Sequence, residues 1–452
     1  MIFCLLLGVA MHRDLELELI RWKNAKEHMP LLLRGARQVG KSHLATSFAK
    51  AHFENVLVIN FEKEEKYKQA FETLDPNAII NRLYLQSGHR VEPGKSLLFL
   101  DEIQECTAAL KALRYFKEDM PDLHVIAAGS FLEFALNNEK MRMPVGRVES
   151  LFLKPLSFYE YLSALGLQHL REYLNQAALI NGIEPVVHDE LCEHLRNYFF
   201  TGGLPDVVNE YLSSRNLERV QAKQLSLVQS YRDDFGKYAG KTKHQYMQKI
   251  LKEAPGFIGE KFTYSRIDPA IGSREIKNAL GYLIEAGLLY KVNHTNASGL
   301  PLSALMSEKH FKIIFFDIGL ANSTSQLSPE LFLQKDLMLL NRGSQAEQFA
   351  GQELLAYRKP YMHSELFYWD RQKPNSSAEV DYVINVNERI IPIEIKAGKT
   401  GSLRSLQLFL NEKNYDLGVR LSMKPLEMNH RVLSIPLYMI SEIPRLVGAI
   451  SG

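Results

Sequence analysis

Cysteine is nearly absent from this chain: Cys4, Cys106 and Cys192 are the only three in 452 residues, and no two form a C-x-x-C pair. That scarcity excludes a disulfide framework and a thiolate zinc site, and it points to a reduced, cytoplasmic setting. No apolar run reaches the roughly 18 residues that a membrane span requires, so no membrane partner is expected. The apolar stretch Met1 to Ala10 is too short to span and lacks a basic leading segment. It reads as an upstream start codon chosen in error ahead of the more conventional Met11-His12-Arg13, with a short anchor as the alternative reading. An excess of charge is missing too, since a formal net charge of +2 says little about partners. A guanine-reading Asn-Lys-x-Asp motif is also lacking, which favours ATP over GTP for any nucleotide site. What is present, 46% hydrophobic and 23% charged residues, is the composition of an ordinary globular protein. The length is enough for roughly two to four domains.

The most informative positive feature is Gly35-Ala36-Arg37-Gln38-Val39-Gly40-Lys41-Ser42, which fits the phosphate-loop pattern G-x-x-x-x-G-K-[S/T]. The glycines let backbone N–H groups turn inward around a polyphosphate, where side chains would clash. Lys41 is placed to reach the β- and γ-phosphates, and the Ser42 hydroxyl to ligate Mg²⁺. Met29 to Leu33 reads as a buried strand ahead of the loop. His43 to Ala51 reads as a helix behind it, aiming its positive dipole end at the phosphates.

Ser96-Leu97-Leu98-Phe99-Leu100 is a continuous apolar run, as in a parallel strand covered on both faces, and it ends in Asp101-Glu102. Asp101 is placed to hold Mg²⁺ through water and Glu102 to polarise an attacking water. Asn55 to Asn60, His124 to Ser130 and Val148 to Leu153 complete a strand–helix alternation, which predicts a parallel sheet with right-handed crossovers. Ser130 ends its strand as Asp101 ends its own, in the position of a γ-phosphate sensor in ATPases of the additional-strand type. In the loop Pro144 to Arg147, Arg147 is a candidate for stabilising transition-state charge, in cis or across a subunit boundary, which leaves oligomerisation open.

The expected division is a P-loop ATPase domain over 12–165, a helical region over 166–236, a winged-helix domain over 237–325 and a nuclease-like α/β domain over 326–452. Thr201-Gly202-Gly203-Leu204-Pro205 interrupts the helical region as a loop. In the next stretch, Lys249 to Ile258 and Ser273 to Ala286 read as helices, and Gly287 to Val292 with Lys312 to Phe316 as a two-stranded wing. Lys237 to Lys312 carries 12 Lys/Arg against 6 Asp/Glu, 12 − 6 = +6, which makes DNA a candidate partner, with Ser273, Arg274 and Lys277 on one helix.

The last third holds a separate constellation. Glu379 to Ile384 and Ile390 to Lys396 read as paired strands joined by a polar turn over Asn385 to Arg389. Alternation puts Ile391, Ile393 and Ile395 on one side, and Glu394 and Lys396 on the other, predicted to be a polar face. Asp381 can meet them from the adjoining strand, and Glu347 from a helix that opens at Ser344. Three carboxylates and a lysine are what metal-dependent phosphodiester cleavage requires.

Taken together, these motifs resemble a family of prokaryotic AAA+-like P-loop ATPases with a C-terminal domain of unknown function. The matching pieces are Arg34 to Ser42, Leu100-Asp101-Glu102-Ile103-Gln104, Ala128-Gly129-Ser130, Pro155-Leu156-Ser157-Phe158, Gly202-Gly203-Leu204-Pro205, Glu379-Val380-Asp381 and Ile393-Glu394-Ile395-Lys396. The resemblance implies an ATPase core, a winged helix and a domain similar to restriction-endonuclease-like PD-(D/E)xK nucleases. Val380 stands where that nuclease signature has proline. Three functions follow as expectations: ATP-fuelled nucleic-acid processing, an ATP-driven switch or scaffold with a non-catalytic nuclease fold, and a nucleotide-dependent transcription regulator.

Overall fold

The computed structural model describes residues 11–130, 132, 146–238, 240–325, 343–363, 365–373, 376–396 and 403–451. The apolar stretch ahead of Met11, and residues 144 and 145 of the arginine loop, lie outside them.

After helix α1 (Glu16–Asn24), β1 (Leu31–Arg34) leads into the phosphate loop and helix α2 (Lys41–His52). Strand β2 (Asn55–Asn60), helix α3 (Pro76–Ser87), β3 (Ser96–Asp101), helix α4 (Thr107–Asp119), β4 (His124–Ala128) and β5 (Glu149–Phe152) follow. The five strands pair in parallel in the order β2-β3-β4-β1-β5. β4 thus lies between β1 and β3, the additional-strand arrangement expected of the core. The apolar strands face two cores at once: Leu31 and Leu33 enter one cluster, and Leu32 between them enters another. Each such fully buried leucine contributes about 1.5–3 kcal/mol of transfer free energy, which is why these runs show no polar alternation.

The helical region holds α5 (Phe158–Ala164), α6 (Gln168–Gln176), α7 (Pro185–Thr201), α8 (Pro205–Ser214) and α9 (Leu217–Tyr238). The break between α7 and α8 has a specific cause. Gly202 adopts φ +69, and a Cβ there would lie 2.3 Å from the Asp317 carboxylate, which accepts a 2.7 Å bond from the Gly203 N–H. Only glycine fits so close to that carboxylate.

Next come α10 (Lys241–Glu253), a single turn α11 (Tyr264–Ile267), α12 (Ser273–Glu285), β6 (Leu289–Thr295), β7 (Met306–Phe315) and α13 (Ile318–Thr324). β6 and β7 pair antiparallel as the wing reading expects, but they do not end there. β6 also pairs in parallel with β8 (Leu366–Asp370), which carries β9 (Glu379–Val380), giving a four-stranded sheet β7-β6-β8-β9. Hydrogen bonding therefore runs straight across the boundary expected near residue 325.

The C-terminal part adds α14 (Ser344–Ala356), β10 (Tyr382–Val386), β11 (Arg389–Lys396), α15 (Arg404–Lys413), β12 (Gly418–Ser422), β13 (Glu427–Asn429), β14 (Val432–Pro436) and α16 (Ile443–Ser451). Its sheet order is β10-β11-β12-β14-β13. The β10–β11 hairpin turns on Asn387 and Glu388, both at positive φ (49° and 64°), the signature of a type I′ turn.

One apolar cluster runs from Leu31 of the first sheet through Tyr198 and Phe235 to Leu433 and Val447, so the regions are packed on one another. The Pro155-Leu156-Ser157-Phe158 segment forms one joint. Ser157 caps α5 reciprocally with Glu160, Leu156 N–H donates to the Gly203 carbonyl (2.7 Å), and Phe158 N–H donates to the buried Glu353 carboxyl of α14 (3.1 and 3.2 Å). Among the described residues no helix is long and apolar enough to cross a membrane.

Candidate functional site

β1 delivers the phosphate loop to the C-terminal edge of the parallel sheet. Gly35 (φ +141°) approaches the Leu153 carbonyl so closely that a Cβ would sit 2.2 Å from its oxygen. Gly40 (φ +96°) and Gln38 (φ +65°) bend the loop further. The loop is fastened from outside by a 2.8 Å bond from Arg13 to the Val39 carbonyl and another of 2.8 Å from the Tyr231 hydroxyl to the Arg37 carbonyl. Arg37 itself pairs with Asp234 of α9.

Inside the loop, Lys41 Nζ donates to the carbonyls of Gly35 (2.9 Å) and Ala36 (2.8 Å). Burial pulls its pKa down to about 8, against the attraction of Glu102 and Asp101. Ser42 Oγ donates to Asp101 Oδ1 at 3.0 Å, and Asn60 Nδ2 donates to Asp101 Oδ2 at 3.0 Å. Asn60 stands directly opposite Asp101 in the β2–β3 register, which is why β2 supplies it. Burial pushes the Asp101 carboxyl up, while the Ser42 hydrogen bond opposes that shift.

Glu102 sits in the left-handed region (φ +49°) and turns toward β4. Its carboxylate accepts from Gln104 Nε2 (2.6 Å), from Ser130 N–H (3.2 Å) and from Ser130 Oγ (3.3 Å). Lys41, Ser42, Asp101, Glu102 and Ser130 therefore share one edge. The residues fit a magnesium-bound polyphosphate: a buried ammonium, a hydroxyl beside a carboxylate, and acidic groups held by neutral donors rather than by a fixed cation.

Arg147 is not brought to this edge. It precedes β5, whose Glu149 pairs with Leu31 at the start of β1, and its guanidinium binds Glu118 at the end of α4 (2.9 Å). That is the opposite end of the sheet from the phosphate loop, so the cis role expected for Arg147 is corrected by geometry.

The C-terminal constellation departs from expectation more instructively. Glu347, Asp381, Glu394 and Lys396 do lie in one neighbourhood: Asp381 pushes the pKa of both Glu347 and Glu394 upward. The polar face expected around Glu394 is instead buried, with Glu394 only 4% exposed. The cause is the cover of α15, which packs Leu406, Phe409 and Leu410 on that side of the sheet with Val383 and Ile390. Burial comes first among the causes that raise Glu347 to about 8 and Glu394 to about 7. Asp381 Oδ2 accepts from the Ile395 N–H (2.7 Å), and Lys396 Nζ donates to Glu394 Oε1 (2.5 Å).

A residue not singled out from the sequence stands among them. Lys312 of β7 is 2% exposed, and its ammonium lies 3.3 Å from Glu347 Oε2 and 2.5 Å from Glu379 Oε1. Burial alone would lower its pKa, but Glu347, Glu379 and Asp381 together raise it, so it stays charged. Among the described residues no group of three or more His, Cys, Asp or Glu side chains stands ready to hold one metal ion. The Lys312 ammonium stands against Glu347 and Glu379, where the nuclease resemblance implies a divalent metal, so these carboxylates as they stand do not fit one. The only hint in the sequence is a charge opening the apolar run Lys312-Ile313-Ile314-Phe315-Phe316.

Lys312 also changes the meaning of the +6 excess. Lys249, Lys261, Arg266 and Lys312 are all paired with carboxylates, Lys261 and Lys312 with those of the C-terminal part (Asp370, and Glu347 with Glu379). The charge available for an outside partner is smaller than the count. Ser273, Arg274 and Lys277 do stand exposed on α12, opposite its buried Ile276, Ala279, Leu280 and Leu283.

Residues 27–162 match the family model described as an AAA domain. Residues 192–331 and 342–439 match two domains of unknown function, DUF8612 and DUF4143. No curated protein matches the sequence. Among solved structures, the Walker-type ATPase PABY2304 of Pyrococcus abyssi is 14% identical, with 70% of this chain and 96% of that one covered and a TM-score of 0.46. The Aeropyrum pernix ORC2 protein is 14% identical, with 70% and 91% covered and a TM-score of 0.38. The Thermotoga maritima RuvB branch-migration motor is 18% identical, with 61% and 86% covered and a TM-score of 0.29. Over residues 27–162 the matched AAA domain model, the five-stranded parallel sheet and the P-loop residues agree on an AAA+-like P-loop domain.

Proposed function

We propose that the protein binds ATP with Mg²⁺, hydrolyses it, and acts as a nucleotide-driven switch on its middle and C-terminal parts. The observation that carries this reading is the convergence of Ser42, Asp101, Glu102 and Ser130 beside Lys41 at the ends of β1, β3 and β4. Lys41 offsets β/γ-phosphate charge, the loop N–H groups cradle the phosphates, and Ser42 with Asp101 would hold Mg²⁺. When bound, the metal offsets phosphate charge. Glu102 orients the attacking water and polarises it, and Ser130 holds the carboxylate in place. Arg147 is too far from its own loop for this chemistry, so any catalytic part it plays lies across a subunit boundary.

The switch has a mechanical link. Arg37 lies inside the phosphate loop and is tied to Asp234, while its carbonyl accepts from Tyr231; both partners are on α9. A change of loop conformation on binding nucleotide is thereby passed to α9, which leads into α10 and the rest of the middle part. That part supports a winged-helix reading, with α12 as the exposed helix and β6–β7 as its strands, and DNA as its candidate partner.

A second reading, nucleic-acid processing by the C-terminal part, is favoured by one observation. Glu347, Asp381, Glu394 and Lys396 sit on a helix and paired strands in the order a PD-(D/E)xK nuclease uses. A Mg²⁺/Mn²⁺ nuclease assay with and without ATP, run beside Asp381→Ala, decides between the readings; metal-dependent cutting lost in the variant would establish processing. For the switch itself, calorimetric titration with ATP·Mg²⁺ and a phosphate-release assay provide the test. Lys41→Ala should lose binding, and Glu102→Gln should bind but not turn over. Unchanged hydrolysis in both variants would refute the site.

A further inference from the structure

The C-terminal carboxylates are surrounded by parts of two other elements. Lys312 reaches Glu347 and Glu379 from β7, and Gly259 (φ +82°), just after α10, lies so close that a Cβ would be 3.3 Å from both Glu347 oxygens. A larger residue at 259 would be strained by its backbone and would press on the carboxylate. The same face of the middle part carries Lys261, paired with Asp370, and His294, 3.0 Å from Asp370 Oδ1. Each contact sets a middle-part nitrogen against a C-terminal carboxylate. Tyr368 adds its ring, with the Lys312 ammonium 5.3 Å from the centroid.

We infer that Lys312 is the resident counter-ion of the Glu347–Glu379–Asp381 cluster, taking by a covalently attached ammonium the place a divalent cation would otherwise need. The physical reason is charge balance. Three carboxylates in one half-buried neighbourhood repel one another unless a cation sits among them, and an ammonium 2% exposed cannot stay charged without anions. Each requires the other. A divalent ion entering the cluster would have to displace the ammonium, which is held by two carboxylates and has almost no water to move into. It follows that β7 and the C-terminal part are locked as one unit, and that the cluster takes up a divalent cation only when Lys312 is removed or drawn out.

This inference does not depend on the nucleotide reading, because its test is run without nucleotide. Mn²⁺ is titrated into the full chain and into Lys312→Met, Lys312→Arg, Asp381→Asn and the double variant Lys312→Met/Asp381→Asn, with bound metal counted by electron paramagnetic resonance and Tm followed in parallel. The expected wild-type result is no Mn²⁺ signal that depends on Asp381 and no rise in Tm. Lys312→Met should lower Tm by roughly 5–15 °C and recover part of that loss on binding one Mn²⁺ per chain, a recovery absent from the double variant. Lys312→Arg, which keeps a cation, should lie near wild type. Wild-type Mn²⁺ binding that disappears in Asp381→Asn would overturn the inference, as would a Lys312→Met protein with wild-type Tm and no gained metal. Should Lys312→Met fail to fold, the comparison of wild type with Asp381→Asn still decides the question.

Discussion

Two acidic sites in this chain end on β-strands, and they are held in opposite ways. At the nucleotide edge, Asp101 and Glu102 are held by neutral donors: Ser42, Asn60, Gln104 and the N–H and hydroxyl of Ser130. In the C-terminal cluster, Glu347 and Glu379 are held by the Lys312 ammonium, and Glu394 by Lys396. Neutral donors orient a carboxylate without cancelling its charge, so the first site keeps its attraction for a cation that arrives with a ligand. A lysine both orients and neutralises, so the second is complete without one. The lesson is that carboxylate count and spacing do not make a metal site; the identity of the neighbouring donor decides.

The largest effect that sharpens this contrast is expected at the nucleotide edge. Glu102→Gln keeps size and hydrogen-bonding reach but removes the charge that polarises water, so phosphate release should fall on the order of 100- to 10,000-fold with nucleotide affinity retained. A single-turnover measurement separates the two quantities. Turnover within a factor of two of wild type would remove Glu102 from the chemistry.

The next effect is on stability. Lys312→Met leaves the half-buried Glu347 and Glu379 without their cation and should cost up to about 3–5 kcal/mol in denaturant unfolding. Asn60→Ala, which removes only one neutral donor from Asp101 and leaves Ser42 in place, should cost about 1 kcal/mol. Equal losses in the two variants would erase the distinction between the sites.

How much of this was legible in the sequence follows from the same contrast. The phosphate loop, the Asp101-Glu102 pair and the β4 insertion were readable because their chemistry lies within short runs: strand, turn, helix start. The hairpin around Asn387 and Glu388 and the parity of Glu394 and Lys396 were readable for the same reason. The parity held, but the solvation did not, because the cover over Glu394 comes from α15, and nothing in the Glu394 strand announces it. Lys312 was counted as one of many positive charges in a basic stretch. Its burial depends on β6 pairing with β8, a contact between segments far apart in the chain. The place of Arg147 was legible but not drawn: a residue just ahead of a parallel strand starting at Val148 lies at the end of the sheet opposite the phosphate loop.

A third carboxyl serves as a control between the two sites. Glu353 is buried more deeply than Glu347 or Glu379 but held, like Asp101, by a neutral donor, the Phe158 N–H. Glu353→Ala should cost about 1–3 kcal/mol by orphaning that N–H, while Glu353→Gln should cost less, because the amide oxygen still accepts.

The smallest expected effect is in pH dependence. Burial raises Glu353 from 4.5 to about 8, opposed by the Phe158 N–H. The folded chain therefore keeps a proton that the unfolded chain releases near 4.5. The stabilisation from Glu353 is fully present below that pH and is lost as pH rises toward 8. Unfolding curves between pH 5 and 8 should be flatter for Glu353→Gln than for wild type. Parallel curves would mean that the carboxyl is ionised throughout.

The contrast between the two acidic sites is tested most directly by counting bound Mn²⁺ per chain in the presence and absence of a non-hydrolysable ATP analogue. The account predicts one Mn²⁺ with the analogue, lost in Asp101→Asn and unaffected by Asp381→Asn, and none without it. Mn²⁺ bound without nucleotide and lost in Asp381→Asn, or no Mn²⁺ bound with the analogue, would contradict it.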